Sequence, residues 1–99
     1  MFTRQQYMNG LVTFDEYYGQ FVTAKIKKIV LNHFNLKLIK KAYAADKHFN
    51  NIPLSKWDNI SHEISVDYKA AGDLESLAGN VCVLKAAAKM IVLESIKTN

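Results

Sequence analysis

A chain of 99 residues, 49% hydrophobic and 22% charged, has the size of one domain and enough apolar side chains for a modest core, which excludes a disordered chain. One cysteine excludes an intrachain disulfide and suits a reducing compartment. The net charge of +4 is uneven: residues 1 to 22 carry −1, residues 23 to 48 carry +6, residues 49 to 75 carry −3, and the last 24 carry +2.

Taken in order, the segments show helical periodicity. Thr3 with Gln6 spells a capping box, and Gly10 is placed to close the short helix it opens. Thr13 with Glu16 repeats the device. Phe14, Tyr17, Tyr18, Phe21 and Val22 then follow the i, i+3, i+4, i+7 pattern, an aromatic stripe that either docks on another helix or anchors a partner. Thr23 caps a third helix whose buried stripe is Ile26, Ile29, Val30, His33 and Phe34, with Lys25 and Lys28 opposite. Asn35 breaks or restarts it. Through residues 36 to 49, Leu38, Ile39, Ala42, Tyr43 and Phe49 face inward, while Lys37, Lys40, Lys41 and Lys47 face out.

The stretch FNNIPLSKW, with the only proline, is the clearest loop, and Ser55 with Asp58 reads as the capping box of a helix over residues 56 to 71. Its apolar stripe is Trp57, Ile60, Ile64, Tyr68 and Ala71. Gly72 fits the end of that helix and Asp73 the N-cap of the next. The final helix, residues 74 to 96, is the most apolar part of the chain. Leu74, Leu77, Ala78, Val81, Leu84, Ala88 and Val92 form one face. Val83, Ala86, Ala87, Met90 and Leu93 form a second, with Lys85 and Lys89 as the solvated seam. The run from Val81 to Leu93 is too short to span a membrane and holds two lysines. The fold expected is all-α: a single domain over residues 1 to 99, five or six helices bundled around the long C-terminal one.

Chemistry is sparse. Asp58 and His62 at i, i+4, with Glu63 beside them, are too few for a metal site, since zinc wants three or four ligands and the one cysteine sits in an apolar helix. Asp15 and Glu16 point about 100° apart and suit a helix start. No glycine-rich phosphate loop, GxSxG or HExxH occurs. The chain is therefore expected to have no cofactor and no catalytic residue. Two binding readings stand. Lys25, Lys28, Lys37, Lys40 and Lys41 would present a continuous basic face to nucleic acid if their helices formed a hairpin at Asn35. Twelve of the 13 basic residues are lysine, a bias that AT-rich coding also produces, and arginine is the usual reader of guanine. Alternatively, if the short helices cover only one face of the long helix, then Phe14, Tyr17, Tyr18, Phe21, Val83, Ala87, Met90 and Leu93 are left for a protein partner or a homodimer.

Two motifs carry a resemblance. FDEYYGQFV and, about thirty residues on, KHFNNIPLSKWD resemble small tailed-phage proteins of unassigned function, of the form YxNGxVxxxEYYxQFV … hFNxIPLxxWD. The match rests on Tyr7, Asn9, Gly10, Glu16, Tyr17, Tyr18, Gln20 and Phe21, then on Phe49, Asn50, Ile52, Pro53, Leu54, Trp57 and Asp58. It implies a phage-encoded accessory protein acting in the host cytoplasm on a host or phage protein, and carries over no catalytic residue. The N-terminus, with neither a basic leader nor an apolar run, agrees with a cytoplasmic location.

Overall fold

Threonine and asparagine hydroxyl and carbonyl groups start most of the helices. The computed structural model of the protein describes residues 1–71 and 77–97. Thr3 and Thr13 both form complete capping boxes, opening α1 (Arg4–Met8) and α2 (Phe14–Gly19). In each, the hydroxyl accepts the backbone N–H three residues on, and the Gln6 or Glu16 side chain accepts the N–H of the cap. Thr23 and Asn35 cap α3 (Ala24–His33) and α4 (Leu36–Ala45) in the same way, each by a single side-chain bond. Gly10, at φ +75°, closes α1 as expected. Its N–H reaches Tyr7 and the Leu11 N–H reaches Gln6, the paired bonds of a Schellman ending.

Two boundaries differ from the sequence expectation. Helix α5 spans Leu54–Ser61 with Pro53 at its N-cap, so Ser55 lies inside the helix and makes no capping box with Asp58. Proline fixes the extended cap geometry (φ −54°, ψ 138°), and its carbonyl accepts from Lys56 and Trp57. The helix also stops ten residues short of Ala71. Buried Ser61 turns its hydroxyl onto the Asp58 carbonyl at 2.5 Å, and the chain runs irregularly to a 3₁₀ turn, Tyr68–Ala71. The apolar stripe survives the break: Trp57, Ile60, Ile64 and Tyr68 are all buried. The expected caps Gly72 and Asp73, and Leu74, lie outside the described residues.

The last helix, α6 (Leu77–Lys97), has 21 residues, about 31 Å at 1.5 Å per residue, against a molecular long axis of 35 Å. Helices α2, α3, α4 and α5 all pack on it, and α1 packs on α2. The fold is thus all-α, with the shorter helices gathered around the C-terminal one, and the described residues contain no strand. Two aromatic groups fill the spaces between helices. Tyr7 stacks on Tyr17 at 5.1 Å, with Phe14, Tyr18, Phe21 and Tyr68 joined edge-on or tilted around them. Trp57 lies between Phe34 and Phe49, at 5.2 and 5.9 Å.

The second face of α6 is covered by the same chain as far as Ala87. Val83, Ala86 and Ala87 are as buried as Leu84, Ala88 and Val92. Alanines let the shorter helices approach closely, so four helices docked from different sides enclose both faces. Ala78, expected in the core, is exposed instead, as is Leu38, and His33 faces solvent with its Nε2 2.5 Å from Glu63 Oε2.

A groove along the last helix

What α6 leaves open is a narrow strip: Ala78, Cys82, Lys85, Lys89, Leu93 and Ile96, spaced four or three residues apart and so on one side of the helix. Lys85 and Lys89 form the solvated seam their position predicts. At the N-terminal end the strip meets α5, and the two enclose an apolar groove of ≈ 690 Å³ between Leu54, Asp58, Ala78 and Val81. One turn further on it meets the start of α2 and the loop after α4. There Phe14, Asp15, Lys47, His48 and Phe49 frame a hollow of ≈ 290 Å³. Cys82 and Lys85 line both, so the two hollows adjoin along α6.

The loop on its far wall is held by one carboxylate. Asp46 Oδ1 accepts the His48 N–H at 2.8 Å and Oδ2 the Asn50 N–H at 3.1 Å. That pins Phe49 at φ +57°, a left-handed conformation costly for a phenylalanine, and drives its ring into the core. Asn51 ties the loop back by donating to the Ala42 carbonyl at 3.0 Å.

Charge in the depression is mostly positive. Lys89 Nζ lies 2.6 Å from Asp15 Oδ2, Lys85 Nζ donates to the neutral Asn50 Oδ1 at 3.4 Å, and Lys47 makes no ion pair among the described residues. The floor is chemically quiet. Burial pushes the Cys82 thiol up, while its hydrogen bond with Tyr18 and the nearby Lys85 pull the other way by less. A thiol held protonated is a poor nucleophile. Tyr18 and Tyr68 are likewise pushed up, first by burial; Cys82 adds to the shift at Tyr18, and Tyr18 adds to it at Tyr68.

Of the eight residues expected to face a partner, four are corrected: Tyr17, Tyr18, Val83 and Ala87 lie in the core, because the aromatic stripe docks on the very face of α6 it was expected to leave free. Phe21 is half-buried against Tyr68. Phe14 lines the basic hollow, and Met90 and Leu93 line a dimple of ≈ 70 Å³ beyond Lys89. The second face is therefore covered at Val83, Ala86 and Ala87 and open at Leu93, which is 40% exposed. Of the five lysines considered for nucleic acid, Lys25, Lys28, Lys37 and Lys41 are exposed and Lys40 half-buried. Two extended residues, Phe34 and Asn35, join α3 to α4, and both helices pack on α6. Leu54, Asp58 and Lys47 are groove residues that sequence reasoning assigned to a loop, a cap and a solvated face; nothing local in the sequence joins them.

Among the described residues, no three of His, Cys, Asp and Glu gather to hold a metal ion, and no helix is long and apolar enough to cross a membrane. Asp58 and His62 stand 4.0 Å apart and exposed. No protein-family model, curated protein or solved structure matches the chain.

Proposed function

We propose that this is a non-catalytic accessory protein that works by binding another protein in the groove along α6. The carrying observation is the pair of adjoining hollows, one apolar and one basic, that share Cys82 and Lys85 on the longest of the described helices. Grooves of this form take a single helix or an extended segment, with a few anchor side chains supplying most of the affinity. In this reading the Cys82 thiol, pushed up by burial, and the Thr13 hydroxyl, which caps α2, serve packing. The setting we propose is the one the two motifs suggest, a phage-encoded protein acting on a host or phage protein in the host cytoplasm.

The test is affinity capture from host lysate, with nuclease treatment, comparing the wild type with Leu54→Glu and Ala78→Glu. Both positions are exposed, so the variants keep the fold. A stoichiometric partner lost by both variants and kept by Lys69→Glu supports the reading. Absence of any partner, or one indifferent to the groove, overturns it.

A second reading rests on a specific observation: none of Lys25, Lys28, Lys37, Lys40 and Lys41 makes an ion pair among the described residues. Nonspecific binding to nucleic acid through these lysines would fall steeply with salt. A gel shift at low salt that disappears in a Lys37→Glu, Lys40→Glu, Lys41→Glu variant supports it, and no shift at low salt removes it.

A further inference from the structure

The two halves of the depression differ in chemistry, and the difference specifies what fits. The half between α5 and α6 is walled by Leu54, Ala78 and Val81 and is wide enough for a large apolar side chain. Its one charged wall residue besides Lys85 is Asp58, on the rim and exposed. The other half collects Lys47, Lys85 and Lys89 against the single carboxylate of Asp15, with His48 beside them and the Phe14 and Phe49 rings behind. Asp15 engages only Lys89, which leaves Lys47 and Lys85 without a counter-charge among the described residues. On α6 the first half is lined by Ala78, Val81, Cys82 and Lys85 and the second by Cys82, Lys85 and Lys89, so their centres lie about four residues apart, roughly 6 Å.

Resting on the protein-binding reading above, we propose that the occupant is an acidic peptide segment of a partner, with one large apolar side chain in the Leu54, Ala78 and Val81 half and carboxylates about one helical turn away against Lys47, Lys85 and Lys89. Charge complementarity fixes the direction in which the segment lies. It also favours a peptide over a nucleic acid strand, whose regularly spaced phosphates would have to continue past the apolar Leu54 and the carboxylate of Asp58. Ion pairs on such a rim act mainly on association rate and register, while the apolar anchor supplies most of the affinity.

The experiment uses the full chain and defined probes: a fluorescein-labelled helical peptide with one leucine and, starting one turn away, three glutamates; the same peptide with lysines for glutamates; and the same with serine for leucine. Fluorescence anisotropy is expected to show binding of the first alone. Lys47→Glu with Lys85→Glu should weaken it at least about fivefold, and Asp15→Asn, which frees Lys89, should tighten it about twofold, the scale of exposed ion pairs. Iodoacetamide modification of Cys82, the only thiol in the chain, should slow when the acidic probe is bound. Circular dichroism confirms that each variant is folded. Equal binding of the lysine peptide, indifference to the charge reversals, or unchanged Cys82 reactivity overturns the proposal. So does a single-stranded oligonucleotide that binds with the same lysine dependence and protects Cys82. If the acidic probe fails while Leu54→Glu still abolishes capture of a partner, the acidic chemistry is wrong and the protein-binding reading stands. If Leu54→Glu has no effect either, both fall.

Discussion

Val83→Ala tests the burial on which the closed fold depends. Val83 is 0% exposed on the face of α6 that the sequence leaves without an assigned partner. Removing two buried carbon groups costs about 1.6 kcal/mol at roughly 0.8 kcal/mol per methylene equivalent. Incomplete collapse adds about 1 kcal/mol, at ~24 cal/mol per Å³ over roughly 40 Å³. The expected loss is thus about 2–3 kcal/mol, or a fall in Tm of roughly 10–20 °C for a domain of this size. Urea unfolding followed by fluorescence reports it directly, because Trp57 is the only tryptophan and is fully buried between Phe34 and Phe49. The midpoint should drop with an unchanged m-value and show no dependence on protein concentration. Leu93→Ala, at a position 40% exposed, should lose less than about 1 kcal/mol. A loss below about 0.5 kcal/mol for Val83→Ala, or a midpoint that moves with protein concentration, would refute the reasoning by placing Val83 in an interface between chains.

The other predictions concern caps, the groove loop and the buried hydroxyls. Thr13→Ala removes the acceptor for the Glu16 N–H and should cost about 1 kcal/mol by thermal unfolding. Asp46→Ala frees the His48 and Asn50 N–H groups and the strained Phe49, so it should cost about 1–2 kcal/mol and speed hydrogen exchange at Asn50. Tyr68→Phe takes away the hydroxyl that donates to Asn80 Oδ1 at 2.8 Å, for a loss of about 1 kcal/mol in urea titration. Stability should decline above about pH 10, where the unfolded chain's tyrosines ionise while folded Tyr18 and Tyr68, pushed up by burial, keep their protons. The folded state then binds more protons than the unfolded, so raising the pH favours unfolding; a flat stability profile through that range would contradict it.

The motif residues of the sequence serve mainly to build the fold. Tyr7, Tyr17, Tyr18, Phe49 and Trp57 pack, Gly10 and Glu16 end or cap helices, and Gln20 bonds both the N–H and the carbonyl of Phe2, at 2.9 and 2.8 Å. Leu54 and Asp58 differ, since they stand on the groove wall. The capping boxes at Thr3 and Thr13 were legible because they are local, a hydroxyl and a carboxamide or carboxylate three residues apart, but the same spacing at Ser55 and Asp58 gives no cap where Pro53 already opens the helix. The irregular run after Ser61 was not, because Trp57, Ile60, Ile64 and Tyr68 keep helical spacing whether or not the helix continues.

The sequence by itself determined the helical class, the caps at Thr3, Thr13, Thr23 and Asn35, and α6 as the axis, since each follows from residue spacing within one or two turns. It also marked Lys85 and Lys89 as the open seam. Only the tertiary structure decided how the two faces of α6 are covered and where the aromatic stripe of α2 lands, because both depend on the directions from which separate helices approach. The groove belongs with these. It joins Phe14, Lys47, Leu54, Cys82 and Lys85 from four distant segments, and no periodicity within any one of them records that they meet.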